Sequence, residues 1–511
     1  MKKYIYFLPT LSFLLSSCAS HDKHQATANT NTYTIAVSPT GAPNPDYYTP
    51  AVTIPPFPIS TAPTLSPEIN KEPAVKVYED GSTVAIVKSD EANASDITEA
   101  EIDELVNNAL NMTDEFRKLI KNGQTVVIKP NLVQMIVDST GELLDKTVNG
   151  ITTDWRVAHA VVKNVRKLNP DGKIYVMECS ATGKTKDVMA YYNYTPDYMP
   201  EVDGFFGLEE DSGAWQDFNA PELVRAPLPD GLLHQEYYFN KILYNADVLI
   251  SIPCLKTTSG VIVTGGIKNV YVGAPPGNIY GVSATNAGKT HMVSHKITDG
   301  DLDKWIYDYY RCKPIDYVVV DGLQGFQSGP VPMGRAEKDT DKMNMRIILA
   351  GCDIISVDTV NALIMGWDPL SIGYLNHFAE SGIGHGNPVN IHVLGEMVGD
   401  LRKPFTVKHT NLGGALITQT EGPEIYNVEL SGAGDDTDKI SLQADNLAVK
   451  AELYVNGAIY ANKPVENGGC VFALPKGLVD SASEVKILVY DRFLNMTETD
   501  LEIGVAPEPG D

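Results

Sequence analysis

Two hydrophobic patterns alternate through the middle of the chain. One is a short, continuous apolar run, and the other places apolar residues every three or four positions. Ser82–Lys88, Thr125–Ile128 and Lys173–Met177 read as strands, as do Ala246–Ser251, Tyr317–Val320 and Arg346–Leu349. Between them, Ile97–Lys121 and Trp155–Leu168 carry helical spacing, and Gly123 stops the first of these helices. Apolar runs separated by helices predict an α/β fold, with a mostly parallel sheet covered by helices. In open sheets of this kind a ligand sits beyond the carboxyl ends of the strands.

The pattern changes at both ends of the chain. Ile425–Leu430, Ile440–Gln443, Ala451–Val455, Cys470–Leu474 and Val485–Tyr490 are short strands, with turns at Asn456-Gly457 and Asn467-Gly468. They resemble a small immunoglobulin-like β-sandwich of bacterial surface proteins over residues 425–505, with 411–424 as its linker and Asp491 and Asn495 near the closing strand pair. Its expected role is spacing, or adhesion to a surface polymer or protein.

At the other end, Met1-Lys2-Lys3 precedes a short apolar stretch, Tyr4–Leu15, too short to span a bilayer and suited to a secretory signal. Leu15-Ser16-Ser17-Cys18 resembles the bacterial lipobox, so residues 1–18 read as a lipoprotein signal peptide with Cys18 as the lipidated residue. Acyl chains contribute about 0.8 kcal/mol per buried CH₂, enough for two or three of them to hold a protein on a membrane. Ala19 stands where an Asp would favour inner-membrane retention, which points to the cell envelope and to the outer membrane rather than the inner. Residues 19–73 are rich in Thr, Asn and Pro, with ten prolines from Pro39 to Pro73. Such a segment builds no core and reads as a disordered tether spanning about 40 Å.

Composition narrows the function. The chain has 511 residues, with 65 Asp and Glu against 40 Lys and Arg, a formal net charge of −25. A surface this acidic repels nucleic acid, so no nucleic-acid partner is expected. Six cysteines are too few for a disulfide scaffold. Mean hydropathy is −0.13, which excludes a polytopic membrane protein.

Against that acidic background, lysines recur where strands end. Lys129-Pro130-Asn131, Glu178-Cys179, Cys254-Leu255-Lys256, Asp321-Gly322 and Cys352-Asp353 each follow an apolar run, and Gly265-Gly266-Ile267-Lys268-Asn269 is a glycine turn that delivers a lysine and an amide. Lys-Pro-Asn and Asp-Gly are also ordinary turns. Lys129, Asn131, Lys256, Lys268 and Asn269 are the candidate ligand-binding groups, because lysines neutralise an anion and glycine-turn amides cradle one. Asp154, Glu178, Asp321, Asp353 and Asp358 are hard oxygen donors suited to a divalent metal. The same lysines and carboxylates suit a purely structural ion network.

In this order, together with Thr153-Asp154, Lys289, His291 and Gly329-Pro330, these residues resemble the domain-of-unknown-function 362 family over about Ala74–Lys403, within an α/β domain spanning 74–410. The resemblance adds Lys289 and His291 to the ligand-binding candidates, and it implies no settled reaction. Some members carry an iron–sulfur module, and the family is distantly similar to nickel-dependent lactate racemase domains. This chain departs from the family twice. Its cysteines are too far apart for a cluster, so no iron–sulfur centre is expected. Thr257-Thr258 follows Lys256 where a histidine is usual. His291 and His295 have helical i, i+4 spacing but lack the Glu of a zinc motif.

Two functions remain. One is an exported, lipid-anchored protein whose α/β domain binds a small anionic ligand, with or without a divalent metal, as an enzyme of unknown reaction. The other is a non-catalytic surface binding or adhesion protein.

Overall fold

In the computed structural model each of the continuous apolar runs of the middle region is a strand of one ten-stranded sheet. The structure describes residues 81–136, 143–181, 183–258, 261–281, 301–329, 341–407, 414–432, 437–479 and 483–501. Cys18, the tether, Lys289, His291 and His295 lie outside them.

The strands are β1 (Ser82–Lys88), β2 (Thr125–Pro130), β3 (Lys173–Glu178) and β4 (Gly204–Gly207). A side hairpin follows, β5 (Leu223–Pro227) and β6 (Glu236–Asn240). Next come β7 (Val248–Ile252), β8 (Cys254–Thr258), β9 (Ile262–Thr264), β10 (Tyr317–Phe326), β11 (Lys342–Gly351) and β12 (Ile391–Gly395). The sheet order is β12-β1-β11-β10-β7-β2-β3-β4, with β8 paired to β10 and β9 to β8. Along that path β11 alone runs against its neighbours, and every other pairing is parallel.

The helices are α1 (Glu99–Asn111), α2 (Glu115–Leu119), α3 (Trp155–Leu168), α4 (Thr185–Tyr191), α5 (Lys241–Asn245) and α6 (Gly266–Gly273). They continue as α7 (Gly277–Tyr280), α8 (Asp301–Cys312), α9 (Ile354–Ile364), α10 (Gly373–Ser381) and α11 (Val398–Leu401). The single helix expected over Ile97–Lys121 is two. Thr98 and Glu101 start α1 with a capping box, and the turn at Met112–Asp114 ends it.

Both faces of the sheet are dry, as continuous apolar strands require. Val126 and Ile128 pack on the face covered by α1 and α3, while Val127 packs on the other with Ile267 of α6, Trp305 of α8 and Val357 of α9. The same alternation holds in β7, where Val248 and Ile250 face one core and Leu249 the other.

The carboxyl end of the chain forms β13 (Ile425–Gly432), β14 (Thr437–Ala444), β15 (Lys450–Val455), β16 (Ala458–Pro464), β17 (Gly469–Pro475), β18 (Val485–Tyr490) and β19 (Met496–Asp500). They make two antiparallel sheets, β13-β14-β17 and β16-β15-β18-β19. Ile440, Phe472, Leu453 and Ile487 fill the space between the sheets. The sandwich also shares a core with the α/β domain. Ile487 and Val489 of β18 point inward, whereas Leu488 and Tyr490 join the large core under the main sheet. A buried ion cluster seals this junction: Glu452 accepts from Lys450 (2.8 Å), His392 of β12 (3.0 Å), and the Tyr454 and Tyr490 hydroxyls (both 3.1 Å). Lys450 also donates to the Ile391 carbonyl at 2.8 Å.

Candidate functional site

Pro253 decides where the site lies. Proline has no N–H, so the strand begun by β7 breaks there and resumes as β8. Strand β10 pairs with β7 at Tyr317 and Val318, then with β8 at Asp321, and the Asp321 N–H donates to the Pro253 carbonyl at 2.8 Å. Two expectations are thereby corrected. Cys254-Leu255-Lys256 is itself a strand rather than the segment after one, and Asp321 sits inside β10 rather than after it.

On this frame five of the expected residues meet in one buried network at the carboxyl ends of β2, β3 and β7. The Lys129 ammonium donates to Glu178 Oε2 (2.9 Å), Asn269 Oδ1 (3.1 Å) and the Pro130 carbonyl (2.6 Å). Glu178 also accepts from the Leu132 and Cys179 amides, both at 2.8 Å. Asn131 Nδ2 donates to Asn269 Oδ1 at 2.9 Å, and Asn131 Oδ1 accepts from Lys256 Nζ at 2.6 Å. Asn269 Nδ2 reaches the Lys129 carbonyl and Ser251 Oγ, each at 3.0 Å.

The two lysines differ in kind. Lys129 has a carboxylate, and Lys256 does not. Among the described residues Lys256 Nζ donates to Asn131 Oδ1 and to the Ile151 carbonyl, both neutral. An ammonium has three donors, so one N–H is left over. Lys256 is 1% exposed, and burial pulls its pKa down to about 8.

Glycines let the pieces approach. A Cβ at Gly273 would lie 2.6 Å from Lys129 Nζ, and one at Gly265 would lie 2.2 Å from the Asp358 carboxylate. Asp358, on α9, holds the first turn of α6 by accepting from the Gly266 amide (2.6 Å) and the Ile267 amide (3.2 Å). Its pKa is pushed up to about 7 by burial.

Asp154 and Asp321 stand side by side next to this network. Asp154 caps α3 and is forked by Arg156, with Nη2 to Oδ2 at 2.7 Å and Nε to Oδ1 at 3.1 Å. Its backbone N–H donates to Asp321 Oδ2 at 2.8 Å. Burial, with the Asp154 charge beside it, pushes the Asp321 pKa up to about 7. Arg156 also lines a polar cleft of about 340 Å³ with Val148, Gln324, Lys342 and Asn344.

Other expected residues do not join the network. Asp353 follows β11, and because β11 is antiparallel it lies at the opposite edge of the sheet, where its oxygens accept from Ile355, Ser356 and His385 amides. Asp358 is spent on the two α6 amides, and Lys268 is only half-buried beside the buried Asn269. Among the described residues no group of three or more His, Cys, Asp or Glu is arranged to hold a metal ion. Cys179, Cys254, Cys312 and Cys470 are buried, and Cys352, like Asp353, is at the far edge from Cys179 and Cys254. Sequence reading missed Ser251, whose hydroxyl bridges Asn269 and the Gly266 carbonyl, and Tyr194, whose hydroxyl holds the Thr153 carbonyl at 3.0 Å. Ser251 had a signal, as a polar residue in an apolar run. Tyr194 had none.

No curated protein matches the chain. Among solved structures it is similar to the lactate racemase apoprotein from Thermoanaerobacterium thermosaccharolyticum, at 14% identity and a TM-score of 0.28, over 50% of this chain and 55% of that one. It is also similar to the spore cortex lytic enzyme SleM of Clostridium perfringens, at 12% identity and a TM-score of 0.16, over 78% and 85% of the two chains. Likenesses this loose say nothing of activity. Residues 126–362, which hold the whole Lys129–Glu178–Lys256–Asn269 network, match the family described as Domain of unknown function (DUF362).

Proposed function

We propose that the α/β domain binds a small anionic ligand at the carboxyl edge of its sheet, with Lys256 as the group that meets the negative charge. The observation that carries this is the difference between the two buried lysines. A buried charge without an opposite charge is costly, and proteins retain one where it has work to do. Lys129 is matched by Glu178, whereas Lys256 has neutral partners and a spare donor. An arriving carboxylate or phosphate supplies the missing charge.

Asp321, beside Asp154 and poised near neutrality, offers the proton-transferring group that an enzyme needs within reach of its ligand. On this reading the domain is enzyme-like, and Lys129, Asn131 and Asn269 hold Lys256 in place. A bound divalent cation is no part of the reading, since the oxygens of Asp353 and Asp358 are taken by amides and those of Asp154 by Arg156 and amides. The protein is exported and held at the cell envelope through a lipidated Cys18, a reading that rests on the lipobox-like Leu15–Cys18 segment.

The test is calorimetric titration of the full chain with a panel of small carboxylates and phosphate monoesters, repeated with Lys256→Met. Saturable binding of at least one compound, lost in the variant while its unfolding stays cooperative, is expected. Binding unchanged in Lys256→Met overturns the assignment.

A further inference from the structure

The carboxyl edge of the sheet carries a second charge anomaly, away from Lys256. Lys88 ends β1, Arg346 lies on the neighbouring β11, and Lys403 reaches over the same strand to donate to the Asn344 carbonyl at 2.9 Å. Strand β10 lies between β11 and β8, the strand of Lys256.

Three cations gather here in a protein whose acidic residues outnumber its basic ones by 65 to 40. Among the described residues none of the three has a carboxylate partner. Arg346 meets Glu91 through the main-chain carbonyl of that residue, and the Arg346 Nε atom is shielded from solvent with no acceptor. Burial and the neighbouring charges of Arg346 and Lys88 together pull the Lys403 pKa down. The chain also holds Arg346 at φ +61°, a conformation that a side chain this size rarely adopts. Like charges held together without a carboxylate partner are what an external anion resolves. A guanidinium and two ammonium groups near enough to feel one another offer the charge and the donors that a tetrahedral oxyanion takes.

We infer that Lys88, Arg346 and Lys403 form a binding site for a phosphate group, separate from the Lys256 site and independent of it. The cluster lies beside the polar cleft that Asn344 and Lys342 help to line, so the rest of a phosphate-bearing molecule has room there.

The test is titration of the full chain with inorganic phosphate, followed by ³¹P NMR and calorimetry, with chloride at matched ionic strength as reference. Lys403→Gln is the main variant, because its side chain makes one bond, to a carbonyl, and its removal should leave the fold intact. Arg346→Gln is the second variant, and Lys167→Gln on exposed α3 surface controls for loss of one positive charge. Saturable phosphate binding is expected in wild type and Lys167→Gln, weakened about tenfold or more in Lys403→Gln, as loss of a charge-assisted hydrogen bond implies. Binding of equal strength in all four proteins, or a response that chloride reproduces, overturns the site.

Discussion

Replacing either buried lysine by methionine separates a ligand-facing charge from a structural one, because the two sites predict opposite energetics. In Lys129→Met the Glu178 carboxylate remains buried without its cation, and breaking a buried pair in this way costs about 3–5 kcal/mol. Lys256 leaves no carboxylate behind. Burial lowers its pKa from 10.5 to about 8 on folding, so near pH 7 the buried ammonium weakens the fold by about 3 kcal/mol. Lys256→Met removes that cost and leaves the Asn131 and Ile151 oxygens without a donor, a loss of about 1–3 kcal/mol. The two largely cancel, and at pH 7 the variant should equal wild type or exceed its stability by up to about 2 kcal/mol.

The pH dependence gives the sign. Below about pH 8 Lys256 is charged in both folded and unfolded chains, and its cost is fully felt. As pH rises toward 10 the folded protein sheds the proton first, so wild type gains stability relative to Lys256→Met. Urea unfolding of wild type and both variants at pH 7 and pH 10 measures this, and the difference between proteins cancels other titrations. A loss above 3 kcal/mol in Lys256→Met at pH 7, or a wild-type advantage that does not grow with pH, would refute the reasoning.

Other outcomes follow from the same structure. Asp321→Asn should stabilise the protein at pH 8 by up to about 4 kcal/mol, because the folded-state pKa of about 7 stands well above the usual 3.8, and the gain should vanish below pH 4; urea unfolding at the two pH values checks it. Glu452 has its pKa lowered from 4.5 to about 2, so its contribution of about 3 kcal/mol is present above pH 4.5 and lost as pH falls toward 2. Glu452→Gln should therefore flatten the acid limb of wild-type unfolding and raise proteolysis at the sandwich junction, and an unchanged acid limb would count against the ion cluster. Gly265→Ala drives a methyl into the Asp358 carboxylate and should unfold α6 and disperse the Lys129 network, seen as lost cooperative melting. Cys18→Ala should move the protein from the membrane to the soluble fraction, and retention after a high-salt wash would remove the lipid-anchor reading.

The strands and the paired faces of the sheet were legible because continuous apolar runs admit few other structures. Val126–Ile128 and Val248–Ile250 had to be covered on both sides, and α3 matches its sequence-expected span, Trp155–Leu168. The gathering of Lys129, Asn131 and Glu178 was legible too, since they end or follow β2 and β3, which run parallel, whereas Lys256 lies inside β8 and Asn269 inside α6. Strand direction itself was not. Nothing in Arg346–Leu349 marks β11 as the antiparallel member, and that one reversal carries Asp353 and Cys352 to the far edge. Pro253 stood in plain view, yet its effect depends on β10 passing from one broken strand to the next, a contact between residues more than sixty positions apart. The sandwich was visible as short alternating strands, but its attachment was not. Leu488 and Tyr490 occupy the outward positions of β18, and the α/β domain beside them, β12 and α11 included, makes those positions buried. Local pattern determines which residues want to be dry; which surface dries them is a property of the packed chain.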